Sequence, residues 1–148
     1  MLKRFEKIKN INGELNLNGD KSISHRAVIF SAMASGKSLI KNISPGEDVK
    51  STLKIMQQLG AEVLNEDEQT IIEGCGFKGF KEPTNNLDCG NSGTSARLIS
   101  GLLAAQDFSS TIIGDDSLSK RPMKRVIEPL KQMGIEFNSN QNLTLPLT

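Results

Sequence analysis

The apolar and polar positions of this chain read strand, helix, strand, helix, strand, strand, and then read the same order again. In the first pass, residues 14–18 form a short strand, 23–34 a helix, 38–43 a strand and 47–59 a second helix; 61–65 and 69–73 close as a hairpin. The second pass runs 86–89, 93–105, 109–114, 122–133, 135–138 and 142–146. Two segments, AVIFSAMA at 27–34 and ARLISGLLAA at 96–105, are apolar on nearly every side, which predicts buried helices. The other two helices carry a single apolar stripe. Val49, Leu53 and Met56 form one, Val126, Leu130 and Met133 the other, with lysine and glutamate outside. Gly60 and Gly134 follow these helices, at the position where a glycine takes positive φ to end the last turn.

The repetition extends to particular residues. Arg26 corresponds to Arg97, and Gly60 to Gly134, at nearly the same offset. Each unit is longer than a solenoid repeat. The predicted fold is therefore α/β (α+β): two copies of a βαβαββ unit with buried helices, residues 14–80 and 81–148. Two copies side by side bury more surface than one, and a third is expected to complete the arrangement. The final LTLPLT stops in mid-pattern and reads as a cut end.

Composition narrows the chemistry. Trp and Tyr are absent, so the core must be built from Ile, Leu, Val, Met and Ala. Net charge is +1, which gives no reason to expect nucleic acid or an anionic membrane; any anion site must be a local arrangement. No apolar run approaches the length of a membrane span, and the start MLKRFEKIKNING has no apolar stretch of the secretory kind. Cys75 and Cys89 lack metal-type spacing and read as reduced structural thiols, which points to the cytoplasm. Asp115-Asp116 could hold a cation, but no further carboxylates are spaced to complete a site, so no metal or cofactor is expected.

Both apolar helices open with the same kind of sequence. The first begins Gly19-Asp20-Lys21-Ser22-Ile23-Ser24-His25-Arg26, the second Gly90-Asn91-Ser92-Gly93-Thr94-Ser95-Ala96-Arg97. Hydroxyl residues and glycine at a helix start leave backbone N–H groups free, and the helix dipole favours an anion there. Arg26 lies one turn beyond Ser22, and Lys21 adds a mobile ammonium. A third cationic start, Ser119-Lys120-Arg121-Pro122-Met123, places Pro122 at the first helical position and Arg121 at the mouth of the helix. Singly, such starts are more often plain caps. Three of them in repeated positions point to a site for anionic small molecules.

These segments carry a family resemblance. GDKSISHRA resembles the Gly-x-Lys-Ser-Ile-Ser-x-Arg signature of EPSP synthases, LDCGNSGTSARL their Gly-Asn-x-Gly-Thr-x-x-Arg segment, and GDDSLSKRPM their Arg-Pro segment. The three occur in the family's order and spacing over residues 14 to 137, with Leu98 where many members have proline. The resemblance implies transfer of the enolpyruvyl group from phosphoenolpyruvate to the 5-hydroxyl of shikimate 3-phosphate. It implies that Lys21, Ser22 and Arg26 bind shikimate 3-phosphate, with Lys21 also touching phosphoenolpyruvate as the candidate catalytic residue. Asn91, Gly93, Thr94 and Arg121 would form the phosphoenolpyruvate pocket, which glyphosate also enters. Arg97 belongs to the motif with a binding or a structural role. Family members are usually monomeric, about three times this length, and have two domains, each of three copies of the unit. Residues 1–13 would belong to the other domain and lack sheet partners here, and the proton-transferring carboxylates would lie beyond this chain. The fragment is therefore expected to be inactive alone.

Two alternatives stand beside this reading. UDP-N-acetylglucosamine enolpyruvyl transferase normally has Asn after the lysine, where this chain has Ser22. A stand-alone module could hold phosphorylated metabolites without turnover. His25, the lone histidine, sits at a variable motif position and is not expected to be catalytic. Ala34-Ser35-Gly36-Lys37-Ser38 resembles a P-loop tail, but Ser31 stands where that loop needs glycine. The run Glu66-Asp67-Glu68 reads as a solvated hairpin turn.

Overall fold

A computed structural model describes residues 3–66 and 69–148. Helix α1 spans Lys21–Met33, strand β1 Ser35–Lys41, helix α2 Glu47–Gln58, and strands β2 and β3 Glu62–Glu66 and Gln69–Cys75. Then come β4 Leu87–Asp88, α3 Gly93–Leu103, β5 Ile112–Ile113, a 3-10 turn at Leu118–Lys120, and α4 Lys124–Gln132. The mixed helix–sheet class agrees with the sequence, and α1 to α3 fall where periodicity places them.

The main sheet has the order β1-β3-β2 with both neighbours antiparallel. Thr70 and Ile72 of β3 point inward and are buried. Gly74 continues that face: a methyl built there would lie 2.2 Å from the Ser31 carbonyl oxygen and 2.3 Å from that of Ala34. The bare backbone of β3 thus lets the C-terminal end of α1 lie directly on the strand. Asp20 caps α1 by accepting the Ile23 N–H at 2.8 Å, and Ala34 turns the chain directly into β1. Val28 and Ala32 of α1, Val49, Ile55 and Met56 of α2, and Ala96 and Ile99 of α3 are fully buried in one core. Gly60 and Gly134 have φ of 108° and 91°. Among the described residues, no helix is long and apolar enough to cross a membrane.

The second unit departs from its predicted elements. Residues 135–138 and 142–146 are not strands; only the isolated bridges Ile112↔Leu147 and Ser139↔Leu147 remain of that hairpin. Its backbone donors are used locally instead. The Asn140 side chain accepts the N–H groups of Asn142 and Thr144 at 3.1 and 3.0 Å, a turn that competes with a ladder. The parallel β4–β5 pair is two residues long on each side. Residues 14–18 form no strand either. Leu15 and Leu17 are exposed, and the segment joins no ladder; the Asn42 amide donates to the Leu17 carbonyl at 3.3 Å.

The helices also differ in detail. α1 is not buried all round: Ile23 and Phe30 are 69% and 64% exposed. α4 begins at Lys124, with Met123 as its cap, so Pro122 lies outside the helix and Arg121 ends the 3-10 turn. In α4 the buried residue is Ile127, while Met133 is 75% exposed and Val126 and Leu130 are half-buried. The stripe is thus shifted, in a helix only nine residues long that holds Pro129. Of the acidic hairpin turn, Asp67 and Glu68 lie outside the described residues; Glu66 pairs with Gln69 at its base.

Candidate active site

The starts of α1, α2 and α3 lie together. In the first turns of α1 and α2, Lys21 Nζ is 3.0 Å from Asp48 Oδ2. One turn further along both helices, His25 Nδ1 meets Thr52 Oγ1 at 2.8 Å. Both contacts join residues 27 apart, so the two helices run parallel and in step. The first turn of α3 closes the group: Ser95 Oγ lies 2.7 Å from Thr52 Oγ1 and 3.3 Å from the Asp48 carbonyl oxygen. Three helix starts therefore direct their free N–H groups to one end of the fold, a setting that favours anions.

At the head of α3, Ser92 is the N-cap and accepts the Ser95 N–H at 3.1 Å. Gly93 follows, with two guanidinium groups against it. A methyl built on Gly93 would lie 2.6 Å from Arg97 Nη1 and 3.4 Å from Arg121 Nη1. Arg97 turns back along its own helix, donating from Nη1 to the Gly93 carbonyl at 3.1 Å and from Nη2 to the Pro122 carbonyl at 3.4 Å. Arg121 Nη2 donates to Asn91 Oδ1 at 2.6 Å and to Ser117 Oγ at 3.3 Å. Asn91 in turn donates to Asp115 Oδ2 at 2.7 Å, and Asp115 Oδ1 accepts the Leu118 N–H at 2.7 Å. The Asn91 amide, the Leu118 N–H and the Arg121 charge hold the Asp115 carboxyl below its ordinary value. Asp115 therefore stays ionised and orients Arg121 through Asn91.

Arg26 Nη1 donates to the Ser22 carbonyl at 2.9 Å, one turn back, as the spacing requires. Its guanidinium is exposed beside a groove of about 250 Å³ that Ile29, Phe30, Phe77 and Leu98 also line. Ser22 and Asn91 are exposed and Thr94 half-buried. His25 is fully buried, and its Nε2 is the one buried side-chain nitrogen or oxygen among the described residues without a hydrogen-bond partner. Burial lowers its pKa, with Lys21 and Arg26 adding to the effect and Asp48 opposing it, so the ring is neutral. Among the described residues, no three His, Cys, Asp or Glu side chains cluster as a metal site. Both cysteines are free, and burial pushes the Cys89 thiol up to about 12, in keeping with an inert structural role.

Sequence reasoning located the cations and missed their partners. Asp48 carries no marker in the sequence, and Asp115 reads there only as a possible cation ligand. Thr52 and Ser95 carry no marker beyond their position on helices. Pairings across 24 to 47 residues leave no local pattern.

Comparison with known proteins places these features in a family. The family model for EPSP synthase (3-phosphoshikimate 1-carboxyvinyltransferase) matches residues 5–148. The 3-phosphoshikimate 1-carboxyvinyltransferase of Streptococcus sanguinis (strain SK36) is 48% identical over 145 residues, covering 98% of this chain and 34% of the relative. That of Streptococcus pyogenes serotype M1 is 51% identical over 136 residues, 92% of this chain and 32% of the relative. The structure of EPSP synthase from Acinetobacter baumannii superimposes with a TM-score of 0.87 at 41% identity, over 91% of this chain and 31% of that one. The chain belongs to the EPSP synthase family. It spans about a third of the length of the curated relatives it matches.

Proposed function

We propose that this chain supplies the cationic part of an enolpyruvyl transferase active site. The site transfers the enolpyruvyl group of phosphoenolpyruvate to the 5-hydroxyl of shikimate 3-phosphate and releases phosphate. The observation that carries this reading is the convergence of Lys21, Arg97 and Arg121 on adjoining helix starts, with Gly93 lying bare between the two guanidinium groups.

In this assignment Lys21, Ser22 and Arg26 bind shikimate 3-phosphate. Asn91, Gly93, Thr94 and Arg121 hold phosphoenolpyruvate, with Lys21 reaching both ligands. Arg97, bonded to the Gly93 and Pro122 carbonyls, braces the pocket. The substrate hydroxyl oxygen bonds to C2 of phosphoenolpyruvate as C3 takes a proton, giving a tetrahedral phospho-ketal. The C2–O bond to phosphate then breaks, C3 gives up a proton, and the enol ether remains. Charge on the phosphate rises as it leaves, and ammonium and guanidinium groups held in place stabilise it. Acid and base groups for the proton steps belong to the family's remaining two thirds, so the 148-residue chain does not turn over alone. Residues 14–80 and 81–148 act as two units of one domain, and residues 1–13 belong to the other. Glyphosate occupies the phosphoenolpyruvate pocket beside Gly93. The UDP-N-acetylglucosamine alternative finds no support in relatives named for 3-phosphoshikimate.

The test is a chimera in which this chain replaces the matching third of the Streptococcus pyogenes relative. Phosphate release from the two substrates is expected, and Lys21→Ala or Arg121→Ala should lower kcat/KM by roughly a hundredfold or more. A folded chimera without activity, or full activity in either variant, overturns the assignment.

A further inference from the structure

Four polar side chains between the helix starts have no place in that ligand assignment. His25 of α1, Thr52 of α2, and Ser92 and Ser95 at the head of α3 are each fully buried. They form one chain of contacts: 2.8 Å from His25 to Thr52, 2.7 Å from Thr52 to Ser95 and 2.7 Å from Ser95 to Ser92. Burying polar groups is unfavourable unless all are paired, and apolar residues of similar volume would pack as well. A chain of three contacts under 3 Å leaves little play between the elements it joins.

The ring sets the direction of this chain. Nε2 of His25 has no partner among the described residues, and a buried N–H without an acceptor is worse than an unused lone pair. This favours the neutral tautomer that carries its proton on Nδ1 and donates to Thr52. Thr52 then donates to Ser95, and Ser95 to Ser92, whose oxygen also accepts the Ser95 N–H that caps α3. The chain ends on the cap residue directly before Gly93. The charged groups acting on the ring are Lys21 and Arg26 from α1 and Asp48 from α2.

We propose that the His25–Thr52–Ser95–Ser92 chain is a positioning device, fixing the head of α3 against the head of α1 so that Lys21 and the Gly93–Arg121 pocket meet one ligand. This rests on the reading of those helix starts as an anion site. It predicts that a ligand touching both helices depends on the chain, while a ligand held by α1 alone does not.

The 148-residue chain itself serves for the test, with 15N-labelled histidine and titrations of phosphoenolpyruvate and shikimate 3-phosphate followed by NMR. As the only histidine, His25 gives an unambiguous ring signal. The ring should show the Nδ1–H tautomer. Thr52→Val should shift it toward Nε2–H and weaken phosphoenolpyruvate binding about tenfold, leaving shikimate 3-phosphate within about twofold. Thr52→Ser, which keeps the hydroxyl, should restore both ring and affinity. A ring unmoved by Thr52→Val, an equal loss of both ligands, or failure of the serine variant to rescue overturns the positioning role while the anion site stands. A folded wild-type chain that binds neither ligand overturns the anion reading, and the proposal with it.

Discussion

An arginine on a surface loop ordinarily samples many rotamers, and ordering it costs entropy when a ligand arrives. Arg121 is held before that moment, because Asp115 fixes Asn91 and Asn91 fixes the guanidinium. Gly93 matters through the same group. In the proposed site, Gly93→Ala should displace the Arg97 and Arg121 side chains and reduce inhibition by glyphosate in the chimera; equal inhibition of both forms would remove Gly93 from that pocket. Arg26→Ala should weaken shikimate 3-phosphate binding by about 1.5–3 kcal/mol, the range for a charge-assisted hydrogen bond, as calorimetry would report. The motifs made Lys21, Gly93 and Arg121 legible in the sequence. Asp48 and Asp115 were not legible, because a carboxylate's role depends on which cation the fold brings to it.

At the scale of elements, helices α1 to α3 and the β2–β3 hairpin were readable because their periodicity is strong and their packing is local or nearly so. The stretch 135–146 misled because its apolar residues pack while the N–H groups of Asn142 and Thr144 go to the Asn140 side chain, which limits the ladder to an isolated bridge at Ser139. The exposed side of α1 misled in another way, since an all-apolar helix implies neighbours on every side and Ile23 and Phe30 remain exposed. The contact of α1 with β3 gives a sharp test. Gly74→Ala should destabilise the protein by about 1–3 kcal/mol in urea unfolding, because the new methyl meets two backbone carbonyls that cannot swing away. His25 gives a second. Its folded pKa is below 6.5, so between the two values the unfolded chain binds more protons. Stability should therefore fall as pH drops through and below that value. His25→Asn should flatten the difference between urea midpoints at about pH 7.5 and about pH 5 relative to wild type.

On the scale of the whole molecule, the chain holds one contiguous core and leaves apolar surface on view at Phe5, Ile8, Ile11, Leu15, Leu17, Ile23 and Phe30. Its relatives are about three times as long, and segments of that kind are where added chain would find contacts. Residues 3–18 take part in no ladder or helix, so their amides should exchange with deuterium far faster than those of α3. The gathering of the α1, α2 and α3 starts in one place has an electrical consequence. Three like poles side by side repel one another, and the Asp20 cap of α1 with Glu47 and Asp48 in the first turn of α2 offset that only in part, leaving the head of α3 without a carboxylate in its first turn. In the free protein the fold carries this imbalance, and a bound phosphate group would cancel it. An anion would then behave as a missing part of the fold's own charge balance, so that melting temperature becomes a meter for site occupancy. At a hundred times its Kd, a ligand adds about 2.7 kcal/mol, enough to raise the melting temperature on the order of 5–10 °C, and neutralising Lys21 and Arg121 together should abolish that rise.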